Sequence, residues 1–377
     1  MPCVSRSCRN LRSKAAVVVL GCSLGCGHRE PPAPPDHAEV ASLQARDAAV
    51  ALVSPDRIAI LDATSSAGDT IAAHGCTASV LGSGFRDAPI LCLGAIAAAL
   101  TSTAIEDPPR AQAVTQQLER ILALALAPAA QAAFSSTGSI HVLDRDVPRS
   151  VLYRGMLALV LAGLERLAPA SAHSSLFDAV AGSLATDVSA GWVATYGAGE
   201  IWPCDHAPSS SGLRLHAVLR HASVSVRAAD VLAARLRSFS GAFPTRVDRD
   251  GKVVDAEERG TALAFTAGFL LPGEPELAAE FANRFVVHCS RPLPGMGACR
   301  EWLSGFHTAD AASGPLVQGY SVGATALGLA ASRALTSDWN AVLLRAAAMA
   351  GADALDPRQQ PLESAFFRWG ETARSWR

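Results

Sequence analysis

The stretch Arg149-Ser150-Val151-Leu152-Tyr153-Arg154-Gly155-Met156-Leu157-Ala158-Leu159 opens on polar residues and runs on as an apolar helix rich in small side chains. The same plan returns at Glu258-Arg259-Gly260-Thr261-Ala262-Leu263-Ala264. Polar, glycine-containing motifs precede such helices at Arg149, Asp205, Glu258 and Gly314, at separations of 56, 53 and 56. A fixed period of this size marks a repeated supersecondary unit. Stepping back by the same interval lands near 93 and 37, beside two more apolar helices. Hairpins of about fifty-five residues, about six in all, would fill the body, each with a small-residue-rich first helix and a more charged second one. This organisation predicts an all-α fold, an α/α toroid in which an inner ring of close-packed helices sits inside an outer amphipathic ring. A rival all-α solenoid would lay the same helices out as an open groove.

Outward from the repeat, apolar residues keep helical spacing and almost no segment alternates at period two. The pattern predicts helices over 38–53, 87–102, 109–127, 148–167, 171–189, 207–221, 227–239, 258–271, 274–289, 315–335 and 338–354. Proline breakers separate them, among them Pro128, Pro148, Pro203, Pro244 and Pro315. One toroid domain would then span 37–377.

Ahead of it, Arg6, Arg9, Arg12 and Lys14 precede the run Ala15-Ala16-Val17-Val18-Val19-Leu20, too short to span a bilayer. Val19-Leu20-Gly21-Cys22 looks like a lipoprotein signal, with residues 1–21 removed and Cys22 lipidated; an ordinary cleaved signal peptide is the alternative. Residues 22–36, with Pro31-Pro32-Ala33-Pro34-Pro35, form a stiff spacer. Both readings export the protein, and the first anchors it to a membrane of the cell envelope through the N-terminal lipid. Cleavage removes four of the 32 basic residues and leaves 28 against 34 acidic ones, a formal charge of -6. Such a balance offers no basic excess for nucleic acid.

The body holds Cys76, Cys92, Cys204, Cys289 and Cys299. Export permits disulfides, and Cys289 with Cys299 across a Pro/Gly loop is the first expected pair. Cys76 and Cys92 read equally as buried free thiols or as a further pair. No Cys-x-x-Cys or His-x-x-x-His spacing supports a metal site, and the Rossmann and P-loop glycine patterns are missing, so no cofactor is expected. No Gly-x-Ser-x-Gly elbow is present either.

The densest chemistry is Glu200-Ile201-Trp202-Pro203-Cys204-Asp205-His206, just before the helix at 207–221. A thiol there would feel the positive helix end and lean toward thiolate, with Asp205 and His206 exchanging protons. The structural alternative makes Asp205 an N-cap, Trp202 a packing aromatic and Cys204 a small buried residue. Tyr153 and Arg154 open another inner helix, and the tyrosine hydroxyl either donates to a substrate or satisfies backbone. Arg259 is expected to pair with Glu257 and Glu258, or to face inward toward an anionic group. Glu301, Trp302 and Asp310 precede the last inner helix and would face the same concavity. Asp248-Arg249-Asp250-Gly251 reads as a tight turn.

The order of these motifs over roughly 148–335 resembles the linalool dehydratase/isomerase family, exported α/α-barrel proteins acting on small terpenoid alcohols. Its carriers are Leu152-Tyr153-Arg154-Gly155, Trp202-Pro203-Cys204-Asp205, Gly241-Ala242-Phe243 leading to Asp248 and Gly251, Glu274-Pro275-Glu276 before Asn283-Arg284-Phe285, and Arg300-Glu301 followed by Ala309-Asp310. The resemblance implies a lyase or isomerase using Cys204, Asp205 and His206 on a small hydroxylated substrate, with Tyr153, Trp202, Arg259, Glu301 and Asp310 around it. It also implies a ring-like homo-oligomer. The chain departs from the family where Thr195 stands for the first of two cysteines, Met156 for a histidine and Thr261 for a tyrosine. The alternatives are a non-catalytic ligand-binding lipoprotein and a saccharide-active enzyme pairing Asp205 with Glu258 or Glu301.

Overall fold

Gly155 and Gly212 explain how the apolar helices pack so closely. A Cβ on Gly155 would sit 2.6 Å from the Ser209 backbone nitrogen, and one on Gly212 would sit 2.7 Å from the Ala158 methyl. Each glycine therefore admits the neighbouring helix at backbone distance. Gly260 does the same for an incoming strand, since a Cβ there would meet the Arg300 carbonyl oxygen at 2.2 Å.

The computed structural model describes Cys76, residues 88–335 except 170, 198, 294, 295, 306, 311, 312 and 315, and residues 361–377, all within the unit Pro34–Arg377. The expected signal segment, linker, helices at 38–53 and 338–354, and Cys22 lie outside these residues. The described chain is mainly helical: α1 Ala88–Glu106, α2 Ala111–Ala125, α3 Val151–Leu167, α4 Ser174–Ala190, α5 Ala207–Arg220, α6 Ser223–Arg237, α7 Gly260–Leu270, α8 Pro275–Phe285, α9 Val322–Ser332 and α10 Pro361–Thr372. Ser150 caps α3 by accepting from the Tyr153 N–H, and Ser321 caps α9 through the Ala324 N–H.

The described helices differ in how they are buried. α3 is buried from Val151 to Glu165 and α7 along its whole length, the pattern of helices apolar on every side. α8 buries one stripe, Leu277, Ala278, Phe281, Ala282 and Phe285, and α6 buries a similar one. α1 packs on α3, α3 on α5, α5 on α7, α7 on α9 and α9 on α10, and α10 packs back on α1. α2 lies on α1 and α3, α4 on α3 and α6, α6 on α5, and α8 on α7 and α9. The C-terminal tail reinforces this order: the Trp376 backbone N–H donates to the Pro272 carbonyl and its indole N–H to Ser102 Oγ, both at 2.9 Å. α1 is long and apolar enough to cross a membrane by length and composition, but it is buried in the core.

Two features depart from the sequence reading. Short antiparallel hairpins occupy the connections: β1 Ser139–Val142 with β2 Arg145–Pro148, β3 Arg246–Val247 with β4 Val253–Asp255, β5 Cys289–Leu293 with β6 Met296–Cys299, and β7 Leu316–Val317 with β8 Tyr320–Ser321. Strands of two to five residues are too short for alternation to register. The helix expected over 315–335 accordingly begins only at Val322, and the one over 274–289 ends at Phe285. α10 was not expected at all, because its start lies 39 residues after the start of α9 and breaks the period. Disulfides join Cys289 to Cys299 and Cys76 to Cys92. The first clips the ends of the β5–β6 hairpin and the second ties the Cys76 turn to α1.

Candidate functional site

Residues 195–206 reach α5 through a strand-like approach and a 3-10 turn, Pro203–His206. The approach is pinned by a bridge between Ile201 and Val247 of β3. The Gly260 N–H donates to the Glu301 carbonyl at 2.7 Å, and Arg300 bridges to Tyr320 of β8. The leading segments of α5, α7 and α9 are thus stitched together, and the 3-10 turn packs directly on α7.

Cys204 lies in this turn, 9% exposed, and is a free thiol. Its Sγ donates to Asp205 Oδ1 across 3.7 Å, a long sulfur contact. Burial pushes the thiol well above its ordinary range, the Asp205 charge and hydrogen bond add to the rise, and Arg259 opposes it. This corrects the expected thiolate: desolvation and a neighbouring carboxylate outweigh the helix end. Cys204 is a protonated thiol at neutral pH.

His206 is fully buried and engaged at both nitrogens. Nδ1 donates to the Trp202 carbonyl at 3.1 Å and Nε2 accepts from the Val193 N–H at 3.3 Å, which fixes the neutral tautomer. Burial pushes its pKa down to about 3. Trp192 meets the ring edge-on at 4.8 Å. His206 therefore shapes the turn that carries Cys204 and has no ring nitrogen left for a substrate.

Arg259 does not pair with its sequence neighbours as expected. Its Nε donates to Glu301 Oε1 at 2.5 Å, its terminal nitrogen reaches Asp310 at 2.8 Å, and its guanidinium lies 5.2 Å from the Trp302 ring centroid. Glu301 is fully buried and also accepts from the Thr261 N–H and hydroxyl, so its carboxylate is saturated. Burial raises the Asp310 carboxyl, but the hydrogen bond and charge of Arg259 together with the hydrogen bonds from Ser313 outweigh it and hold the group below the usual range. Trp302 is stacked on His307 with centroids 4.3 Å apart. Glu257 faces His307 at 3.3 Å instead, and Glu258 accepts from the Phe243 N–H and pairs with Arg284 and His288.

Tyr153 and Arg154 are in a different condition. The Tyr153 hydroxyl donates to the Ala125 carbonyl at 2.6 Å, closing the end of α2, and burial pushes its pKa upward. Arg154, fully buried, donates to Ser183, to the Arg149 carbonyl and to Asp187. Met156, where the family resemblance calls for histidine, is buried against Gly94 of α1. Asp248 accepts from the Asp250 and Lys252 N–H groups, making the tight turn read from the sequence.

A further cluster escaped the sequence reading. His216 Nδ1 lies 2.8 Å from Ser225 Oγ and Nε2 lies 2.9 Å from Asp178 Oδ1. These are the residue types of a hydrolase triad, but Ser225 is fully buried and no carbonyl carbon has an approach to it. The cluster ties α4, α5 and α6 together.

Among the described residues several buried polar atoms have no hydrogen-bond partner, including the indole nitrogens of Trp202, Trp302 and Trp369 and the hydroxyls of Thr101, Thr195 and Ser210. Thr195 and Ser210 are fully buried. No protein-family model and no curated protein sequence matches the chain.

Proposed function

We propose that the chain is an α/α toroid of the linalool dehydratase/isomerase kind. In this reading the leading ends of α5 and α7 hold a small hydroxylated molecule, and Cys204 and Asp205 move its protons. The toroid is supported by the order of helix contacts, which runs through α1, α3, α5, α7, α9 and α10 and back to α1, with α2, α4, α6 and α8 applied to them. Export is supported by the two disulfides, which persist in oxidising compartments. A lipid on Cys22 would then anchor the body to a membrane of the cell envelope.

One observation carries the chemistry. Among the described cysteines only Cys204 is unpaired, and it keeps its proton beside a carboxylate in a water-poor setting. Dehydration of an alcohol needs an acid for the departing hydroxyl and a base for a neighbouring C–H. The Cys204 thiol gives its proton to the hydroxyl as the C–O bond breaks and water leaves. Asp205 takes the proton from the adjacent carbon, and that C–H electron pair becomes the new double bond. Cys204 is then a thiolate and Asp205 a carboxylic acid, and proton return across their contact restores both. Run backward onto a different carbon, the same two transfers isomerise the alcohol.

The saccharide-active alternative loses support, because Glu258 and Glu301 are both held in ion pairs. The non-catalytic binding alternative is favoured by the full engagement of His206, and one experiment separates it. Turnover of terpenoid alcohols by the full chain should fall at least about a hundredfold in Cys204→Ala. Unchanged ligand affinity with no turnover in either protein makes this a binding protein.

A further inference from the structure

His288 sits where three parts of the chain meet. It ends the 3-10 turn after α8, immediately before Cys289 of β5, and its side chain is fully buried. Its ring lies against the start of α7, since a Cβ on Gly260 would come within 3.3 Å of Nδ1. The Arg300 N–H donates to the His288 carbonyl at 2.9 Å, and His288 Nδ1 lies 3.2 Å from the Arg300 carbonyl. A carbonyl oxygen only accepts, so Nδ1 carries a proton. Nε2 is buried with no hydrogen bond, and Glu258 Oε1 stands before it at 3.6 Å. Glu258 also accepts from the Phe243 N–H at 2.6 Å and from Arg284 at 3.1 Å. Burial would raise its carboxyl, but His288, the Phe243 N–H and Arg284 outweigh burial and hold the group below the usual range. Nε2 therefore faces a carboxylate, which accepts and cannot donate. A bare Nε2 would aim its lone pair at a negative charge in a buried setting, an arrangement that repels. A proton on Nε2 as well as on Nδ1 gives each acceptor its donor.

We propose that His288 is a buried imidazolium that pins the entrance of α7 to the β5–β6 hairpin, and that loss of its Nε2 proton loosens this junction, making it a pH-sensitive latch. Among the described residues the charged groups on its side of the junction are Glu258, from the α7 entrance, and Arg284 of α8, which pairs with the same carboxylate. Arg300 offers its carbonyl, while its guanidinium lies over the Tyr320 ring. The latch is closed while His288 is charged and opens as the pH rises, because the attraction to Glu258 leaves with the proton. What opens with it is the approach to Glu301, the next residue after Arg300, whose carbonyl takes the Gly260 N–H at 2.7 Å and whose carboxylate holds Arg259. The inference is independent of the chemistry assigned to Cys204.

The test is long-range 1H–15N correlation spectroscopy of the full chain carrying 15N-labelled histidine, over a pH series, with the His288 ring assigned through its contact with the stacked ring of Phe285. The expected result is a proton on both His288 ring nitrogens at neutral pH, with Nε2 alone losing its proton as the pH rises, and losing it at a lower pH in Glu258→Gln. Amide hydrogen exchange on the same protein reads the latch. Exchange at Gly260 and Arg300, taken as a ratio to the Trp376 amide so that base catalysis cancels, should rise about tenfold across that step in the wild type. A bare ring nitrogen on His288 at neutral pH overturns the proposal. So does an exchange ratio that stays flat while Nε2 loses its proton, or a Glu258→Gln protein in which His288 behaves as in the wild type. The wild-type spectra and exchange ratio decide the matter even where the variant fails to fold.

Discussion

The entrance to α3 and the paired entrances to α5 and α7 end up in opposite conditions, although α3 and α7 begin with similar sequences. At α3, Ser150-Val151-Leu152-Tyr153-Arg154-Gly155 places a tyrosine and an arginine in the core, and the Tyr153 hydroxyl and the Arg154 guanidinium both find protein partners. At α5 and α7, Cys204 is left a thiol, and the indoles of Trp202 and Trp302 are left without acceptors. A saturated buried polar cluster holds a fold together, whereas an unsaturated one marks a place where a ligand completes the hydrogen bonding. On this reading the α3 entrance is structure, and the α5–α7 entrance is the proposed site.

The largest effect that would break this contrast concerns Cys204. Its replacement by alanine should lower turnover at least about a hundredfold while moving the urea midpoint little, since only one small side chain is lost. A comparable loss of activity from a folded α3 variant would erase the distinction. Arg154→Met should do the reverse, because it removes a fully buried guanidinium that donates to Ser183, to the Arg149 carbonyl and to Asp187, leaving Asp187 with Arg149 alone. About 3 kcal/mol of stability should disappear, read as a lower urea midpoint, with turnover by the folded fraction unchanged.

The pH profile sharpens the same line. His206 has a folded pKa of about 3, against an unfolded value of about 6.5. The unfolded chain takes the proton first, so stability is complete above about 6.5 and falls between there and 3, by at most about 1.4 kcal/mol per pH unit. His206→Gln, uncharged throughout, should flatten that part of a denaturation series; an unchanged slope would place the acid sensitivity elsewhere. The smallest effect belongs to Tyr153→Phe, which removes one hydrogen bond to Ala125. It should cost about 1 kcal/mol with kcat/KM intact.

Much of the helical order was legible in the sequence, because apolar periodicity and proline breakers are local signals. The glycines of Arg154-Gly155 and Arg259-Gly260 pointed to close packing, and the Cys289–Cys299 pair followed from its loop. α10 was missed because Pro361-Leu362-Glu363-Ser364 does not repeat at the expected interval, and its packing against α1 and α9 is a tertiary fact. The candidate site was read in the sequence as a set of residues, but the condition of those residues was not. Arg259 chose Glu301 and Asp310, 42 and 51 positions away, over its adjacent carboxylates. The thiol of Cys204 was expected to be acidified by the helix end, and burial reversed the sign. Both outcomes depend on desolvation and on distant partners, which no short window of sequence contains.

The claim that everything else depends on is that Cys204 is a protonated thiol held by burial and by Asp205. It is tested by the pH dependence of iodoacetamide labelling at Cys204, followed by mass spectrometry of its peptide, in the wild type and in Asp205→Asn. The account predicts an apparent pKa above about 8.5 that falls when the carboxylate is removed. An apparent pKa below that value, unmoved in Asp205→Asn, would contradict it.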